Sequence, residues 1–228
     1  MLNTFFDNAR QSTDFSFGVC RTDRTKHRLA EEGNPFVRKV LSPDEYTAYE
    51  MLRFQKRQVE WLSGRIAAKL AVAKQYYMLG RKFSWADISV HNDARHAPFV
   101  PAFPEWNLSI SHSQEFAVAV LSRRPIGVDL EKIESRPRQL ADYFCCGDEK
   151  NVLAELEQNE VLWNQRMTWF WTRKEAVAKF LKLGGAIGFH QINTIADRPT
   201  IGDAFVNPIQ LLSEFCGDYA VTIALSSE

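Results

Sequence analysis

The sequence predicts an α+β chain made of two halves of similar build, residues 1–123 and 124–228. Three observations lead there. Helical periodicity followed by strand-like text occurs twice along the chain. Arg123-Arg124-Pro125 separates two strand candidates near mid-chain, reading as a hairpin turn and as the boundary between halves. With 228 residues, 45% of them hydrophobic and 25% charged, the chain is long and apolar enough for one large core or two small ones.

Each element has a local cause. Residues 42–79 read as helix: Ser42 offers a cap, Pro43 the first helical position, and Asp44 and Glu45 put acids in the first turn. Val59, Leu62, Ile66, Leu70, Ala73 and Tyr77 then recur at intervals of three and four, giving one apolar stripe that Gly80 ends. Residues 91–106 are punctuated by Asn92, Asp93, Pro98, Pro101 and Pro104 and read as loop. FAVAVLS, 116–122, is nearly all apolar, as a buried strand requires. IGVDLEKI, 126–133, alternates, with Ile126, Val128 and Leu130 on one face and Gly127, Asp129 and Glu131 on the other. A second helix covers 164–183 and stops at Gly184-Gly185, and YAVTIAL, 219–225, reads as the last strand.

Composition removes several classes of function. Twenty-eight basic residues balance 28 acidic ones, which argues against a general nucleic-acid binder. No apolar run approaches a membrane span, and the first twenty residues lack a basic segment ahead of an apolar core, so neither a membrane nor a secretory role is expected. Cys20, Cys145, Cys146 and Cys216 form no CxxC pair, and reduced thiols in a cytoplasmic protein are expected.

Three segments carry chemistry. On a strand, Asp129 and Glu131 point to the same face, roughly 7 Å apart at their Cα atoms. Two such acids repel unless a cation lies between them, and hard oxygen ligands suit magnesium; an exposed edge strand with ordinary surface acids is the plainer reading. In WTRKEAVAK, 171–179, Trp171, Glu175 and Lys179 lie four apart on one helical ridge, with Lys174 beside them. That is either a metal ligand flanked by phosphate-binding lysines or a solvated Glu–Lys pair. In SISHS, 109–113, hydroxyls around His112 suit a phosphate, or the segment is a polar turn feeding a strand. A Ser-His-acid triad is disfavoured because no GxSxG elbow exists.

In chain order the three segments read SISHS, GVDLEKI and WTRKEAVAK. Together they resemble the 4'-phosphopantetheinyl transferase superfamily, in its larger type that activates surfactin and enterobactin synthetases. VEWLSGRIAAKLA, 59–71, is similar to that family's first shared helix. The resemblance implies two α+β halves related by pseudo-twofold symmetry, with coenzyme A in a cleft between them. It implies transfer of the phosphopantetheine arm of coenzyme A to a serine of an apo acyl or peptidyl carrier protein, releasing 3',5'-ADP. Asp129, Glu131 and Glu175 then match magnesium ligands. Lys179, and with it Lys174, match positions that meet phosphates, and Ser111 and His112 match the contact to the nucleotide end. Glu175 is the expected base, with a metal-bound water as the other choice, and Lys179 its catalytic partner.

The sequence departs from the family at a Gly-Lys/Arg-Pro turn, here Asp93-Ala94-Arg95-His96-Ala97-Pro98, where Arg95 or His96 fills the basic role. Glu45 and Ala48 fall where some members carry lysines for the 3'-phosphate. Arg57, Arg65 and Lys69 are the available substitutes, and each equally reads as a solvated surface charge. Fatty-acid, polyketide and nonribosomal-peptide carriers all remain open. Residues 140–169 are either a carrier-docking surface or core. A monomer is expected, since one duplicated chain can build the cleft. The competing functions are a metal-dependent phosphohydrolase and a non-catalytic coenzyme A-binding module.

Overall fold

The computed structural model describes residues 1–11, 15–183, 188–202, 204–206 and 208–226. Leu2–Arg124 form one compact unit, and Pro125–Glu228 with Met1 form another.

The first unit contains α1 (Leu2–Gln11), β1 (Phe15–Arg21), α2 (Thr22–Glu32), α3 (Asn34–Val40), α4 (Pro43–Glu50), α5 (Gln55–Met78), a ribbon of β2 (His91–Asn92) and β3 (Pro98–Phe99), then β4 (Asn107–Ser113) and β5 (Phe116–Ser122). Its main sheet is antiparallel in the order β1-β5-β4. The second unit contains β6 (Ile126–Lys132), α6 (Leu140–Phe144), α7 (Gly147–Glu155), α8 (Glu160–Phe180), a small sheet of β7 (Ile192–Asn193), β8 (Thr200–Ile201) and β9 (Ala204–Phe205), then β10 (Ile209–Phe215) and β11 (Tyr219–Ser226). Its main sheet runs β10-β11-β6, also antiparallel. The topology is the same twice. A first strand leads through helices to a long helix and a small sheet, and two strands follow, the last of which pairs with both the first and its predecessor.

In each unit the long helix packs on the sheet. Val118 and Val120 of β5 are fully buried, and Ala67, Ala68, Ala71 and Val72 of α5 join Ala117, Ala119 and Leu121 of that strand in one core. In the second unit Ala176, Val177 and Phe180 of α8 share a core with Leu211 and Ala224. Glycine permits the closest approach. A Cβ on Gly18 would fall 2.1 Å from the carbonyl oxygen of Ala67, and one on Gly127 would fall 2.1 Å from that of Ala176. Both clashes are with backbone, which no rotamer change relieves. Gly127→Ala is therefore expected to destabilise the second unit by about 3 kcal/mol, read as a lower urea midpoint with an unchanged slope.

Several expectations change. Residues 42–79 form two helices, not one. The first opens on a capping box in which Ser42 N–H donates to Glu45 Oε2 (2.9 Å) and Glu45 N–H to Ser42 Oγ (3.4 Å). It ends near Glu50, and Gln58 Nε2 donates to the Leu52 carbonyl across the break (2.8 Å). The break lets Tyr46 and Tyr49 pack with Phe36 and Leu62, a tertiary gain that local propensity does not register. Arg123-Arg124-Pro125 is not a hairpin turn. Both edges of β5 are already taken by β1 and β4, so β6 pairs with β11 instead. SISHS lies within strand β4 rather than in a turn before one, and residues 91–106 include the β2–β3 ribbon. The second long helix begins at Glu160, four residues earlier than expected, where Asn159 Oδ1 accepts from Leu162 N–H (3.1 Å); Gly184 and Gly185 lie outside the described residues. Of the 140–169 segment, Phe144, Cys145, Trp163 and Met167 are core, while Tyr143 and Val161 are exposed.

Candidate active site

The packing that Gly127 allows also builds a polar cluster. With α8 lying against β6 at Ala176, the ridge carrying Glu175 and Lys179 lies along the strand that carries Asp129 and Glu131. Lys179 Nζ donates to Asp129 Oδ1 at 2.7 Å. Glu131 Oε2 accepts from Arg136 Nη2 at 3.1 Å. Glu175 is half-buried. Its carboxyl is pushed above the ordinary range, first by burial and then by the Asp129 charge, with Glu131 adding to the effect and Lys179 opposing it. Glu175 thus shares one electrostatic field with Asp129, Glu131 and Lys179.

Asp129 is not the exposed edge acid of the plainer reading, being only 3% accessible. The donor set is hard oxygen, which suits a magnesium ion in kind. The arrangement is not a finished cage. Among the described residues no group of three His, Cys, Asp or Glu side chains stands ready to ligate a metal. Asp129 and Glu131 each give an oxygen to a basic side chain instead.

Lys174 requires a correction. It lies on α8 next to Glu175 but is fully buried, pointing into the second unit rather than at a phosphate. Its Nζ stands 2.7 Å from Glu149 Oε2 and donates to the carbonyls of Phe189 and Ile192. Glu149 Oε1 accepts in turn from the Thr194 N–H (2.9 Å) and hydroxyl (2.7 Å). An ammonium with its donors so engaged binds the fold together.

Arg65 and Lys69 are corrected on the same ground, because neither is a solvated surface charge. Lys69 is fully buried, with Nζ 2.6 Å from Glu45 Oε2 and bonded to the carbonyls of Val40 and Trp85. Arg65 Nε lies 3.6 Å from Glu45 Oε1, and its Nη2 donates to Asn92 Oδ1 (3.0 Å) over the face of Trp61. The first unit repeats the second here. In both, a capping-box glutamate near the start of a short helix (Glu45, Glu149) is buried against a lysine of the long helix. Ser42-x-x-Glu45 announces its box in the sequence, whereas Cys146-x-x-Glu149 does not, since cysteine is no usual cap. Arg136 was also missed; its only trace is its place five residues beyond Glu131.

The remaining candidates lie in the first unit. Ser111 and His112 occupy neighbouring positions on β4 and so face opposite sides, Ser111 buried and His112 half-buried. Arg95 is exposed in the turn between β2 and β3, where Asp93 Oδ1 accepts from its backbone N–H (2.8 Å).

Comparison with known proteins gives two family matches. Residues 125–224 match the 4'-phosphopantetheinyl transferase superfamily, and residues 53–122 match the 4'-phosphopantetheinyl transferase N-terminal domain. The chain is 38% identical over 100 residues to the holo-[acyl-carrier-protein] synthase of Anoxybacillus flavithermus, covering 41% of this chain and 82% of that one. It is 35% identical over 109 residues to the synthase of the same name from Exiguobacterium sibiricum, covering 46% of this chain and 84% of that one. A crystal structure of a holo-(acyl-carrier-protein) synthase from Bacillus anthracis in complex with CoA (3',5'-ADP) is 32% identical, covers 47% of this chain and 91% of its own, and superposes with a TM-score of 0.40. The sequence matches, not that superposition, carry the family assignment.

Proposed function

The chain belongs to the 4'-phosphopantetheinyl transferase superfamily, and we infer that it moves the 4'-phosphopantetheine group of coenzyme A onto a serine of an apo carrier protein. The observation that carries this is the family match over residues 125–224, the span that holds Asp129, Glu131, Glu175 and Lys179. The serine oxygen attacks the β-phosphorus, the bond from that phosphorus to the bridging oxygen breaks, and 3',5'-ADP leaves.

For the site, we propose that Asp129, Glu131 and Glu175 hold magnesium, which when bound would supply positive charge to the pyrophosphate. The Glu175 carboxyl is raised first by burial and then by the charge of Asp129, with Glu131 adding to it, and that proximity of three acids supports this set. Lys179 and Arg136 would have to yield their carboxylate oxygens on loading, freeing Lys179 for a phosphate oxygen. Glu175, half-buried beside Asp129 and Glu131, takes the serine proton. Ser111, His112 and Arg95 are assigned by the family resemblance to the nucleotide end of coenzyme A. We also propose a monomer working in the cytoplasm. All four cysteines are free thiols, in keeping with a reducing compartment. No helix among the described residues is long and apolar enough to cross a membrane.

The reaction class is tested by product release. With coenzyme A and magnesium, 3',5'-ADP should appear only when an apo carrier protein is present; equal release without carrier would mean a phosphohydrolase. Asp129→Asn keeps the shape and a hydrogen-bonding oxygen beside Lys179 but removes the charge. It should lower the transfer rate by about 10²-fold or more and weaken magnesium binding measured by calorimetry. Wild-type metal affinity in that variant would remove Asp129 from the ligand set.

A further inference from the structure

The shared topology gives each position of the carboxylate–lysine cluster a counterpart in the first unit. Gly18 meets Ala67 as Gly127 meets Ala176. Two residues beyond each glycine stand Cys20 and Asp129. One residue before each helical alanine stand Ile66 and Glu175, and three residues after it, Leu70 and Lys179. Asp129, Glu175 and Lys179 are therefore replaced in the first unit by a thiol and two apolar side chains, and Glu131, four residues beyond its glycine, by Thr22. That face is not filled in. It forms a cavity of about 390 Å³ with Cys20, Ile66 and Leu70 in its lining, together with Phe36 and Trp85. The volume falls within the range of about 300–1,000 Å³ typical of small-molecule sites.

The border of this cavity is cationic. Arg21, Arg24, Arg28 and Lys39 line it, and none of its lining residues is an Asp or Glu. Two of the four are engaged nearby, Arg21 with Asp23 and Arg28 with Glu32, the latter guanidinium also lying over Phe36 at 4.1 Å. Arg24 and Lys39 have no ion-pair partner among the described residues, and both are exposed. Arg24 is near enough for its charge to act on the Cys20 thiol.

An apolar floor under two exposed cations that form no ion pair of their own among the described residues selects for one ligand chemistry. We propose that this cavity is a second ligand site that binds a small amphipathic anion. Its aliphatic body sits against Cys20, Ile66 and Leu70, and its carboxylate or phosphate head is held by Arg24 and Lys39. None of the residues placed in the transfer reaction takes part, so the two assignments stand or fall separately.

Calorimetry of the full chain with decanoate, decyl phosphate, decanol and acetate, all below micelle formation, tests this. Decanoate and decyl phosphate should bind one to a site; whichever binds more tightly identifies the preferred head. Decanol and acetate, lacking head or body, should each bind at least about tenfold more weakly. The double variant Arg24→Glu/Lys39→Glu changes only exposed side chains, and it should weaken decanoate by roughly tenfold or more while leaving phosphopantetheine transfer at the wild-type rate. Decanoate should also slow alkylation of Cys20 by N-ethylmaleimide, followed by site-resolved mass spectrometry. Absence of binding by both anions at millimolar concentration, equal binding by the charge variant, or unaltered Cys20 alkylation at saturating ligand would each overturn the proposal.

Discussion

Glu175→Gln is expected to reduce the transfer rate by roughly 10²-fold or more even at saturating magnesium, because glutamine keeps the shape of the side chain but cannot accept a proton. If Glu175 serves only as a metal ligand, added magnesium should recover most of the rate; a rate that stays depressed identifies the base. The same substitution has a stability signature that separates a charge effect from damage to the fold. The Glu175 carboxyl is raised above its unfolded value by burial and by Asp129. Its contribution to stability is therefore fully present below the ordinary carboxylate range and is lost as pH rises through the folded value. Ionised Glu175 burdens the metal-free fold at neutral pH, and glutamine removes that burden. The variant should melt above the wild type near pH 7 without magnesium, and the gain should shrink as pH falls toward about 4. A variant that melts lower at neutral pH, or that transfers at the normal rate in limiting magnesium, would deny Glu175 the role given to it.

Lys174→Met is expected to cost about 3–5 kcal/mol of unfolding free energy, since it leaves Glu149 charged, buried and without its ammonium. The loss is structural, so chemical denaturation is the measurement. Glu149→Gln in the same background should restore part of the stability by discharging the orphaned acid. A phosphate-binding Lys174 predicts the opposite pattern: near-normal stability and a raised KM for coenzyme A. The equivalent substitution in the first unit, Lys69→Met opposite Glu45, should behave alike, because both ammonium groups stand on the long helix of their unit and bind a capping-box carboxylate at 2.6–2.7 Å.

The difference between Lys174 and Lys179 marks how far the sequence could be read. Spacing along α8 places Trp171, Glu175 and Lys179 on one ridge, and alternation along β6 places Asp129 and Glu131 on one face. Both periodicities are local, so the candidate cluster was legible. That Lys174 turns inward depends on Glu149, Phe189 and Ile192, which arrive from a capping box, a 3-10 turn and a short strand remote in the chain. No window of sequence contains that information. The same holds for Arg123-Arg124-Pro125. Two strand-like runs joined by a short polar link read as a hairpin until it is known that β5 already pairs with β1, and β1 begins a hundred residues earlier. The duplication was visible as an order of elements. Its detail, a glycine on the first strand of each unit admitting the backbone of the long helix, needed coordinates.

The most direct test of the transferase assignment is the intact mass of an apo carrier protein incubated with the chain, coenzyme A and magnesium. The assignment predicts a gain of one phosphopantetheine arm on a single serine, matched mole for mole by 3',5'-ADP, dependent on magnesium and nearly abolished by Asp129→Asn. An unmodified carrier beside hydrolysed coenzyme A, or full modification by the Asp129→Asn chain with magnesium chelated, would contradict it.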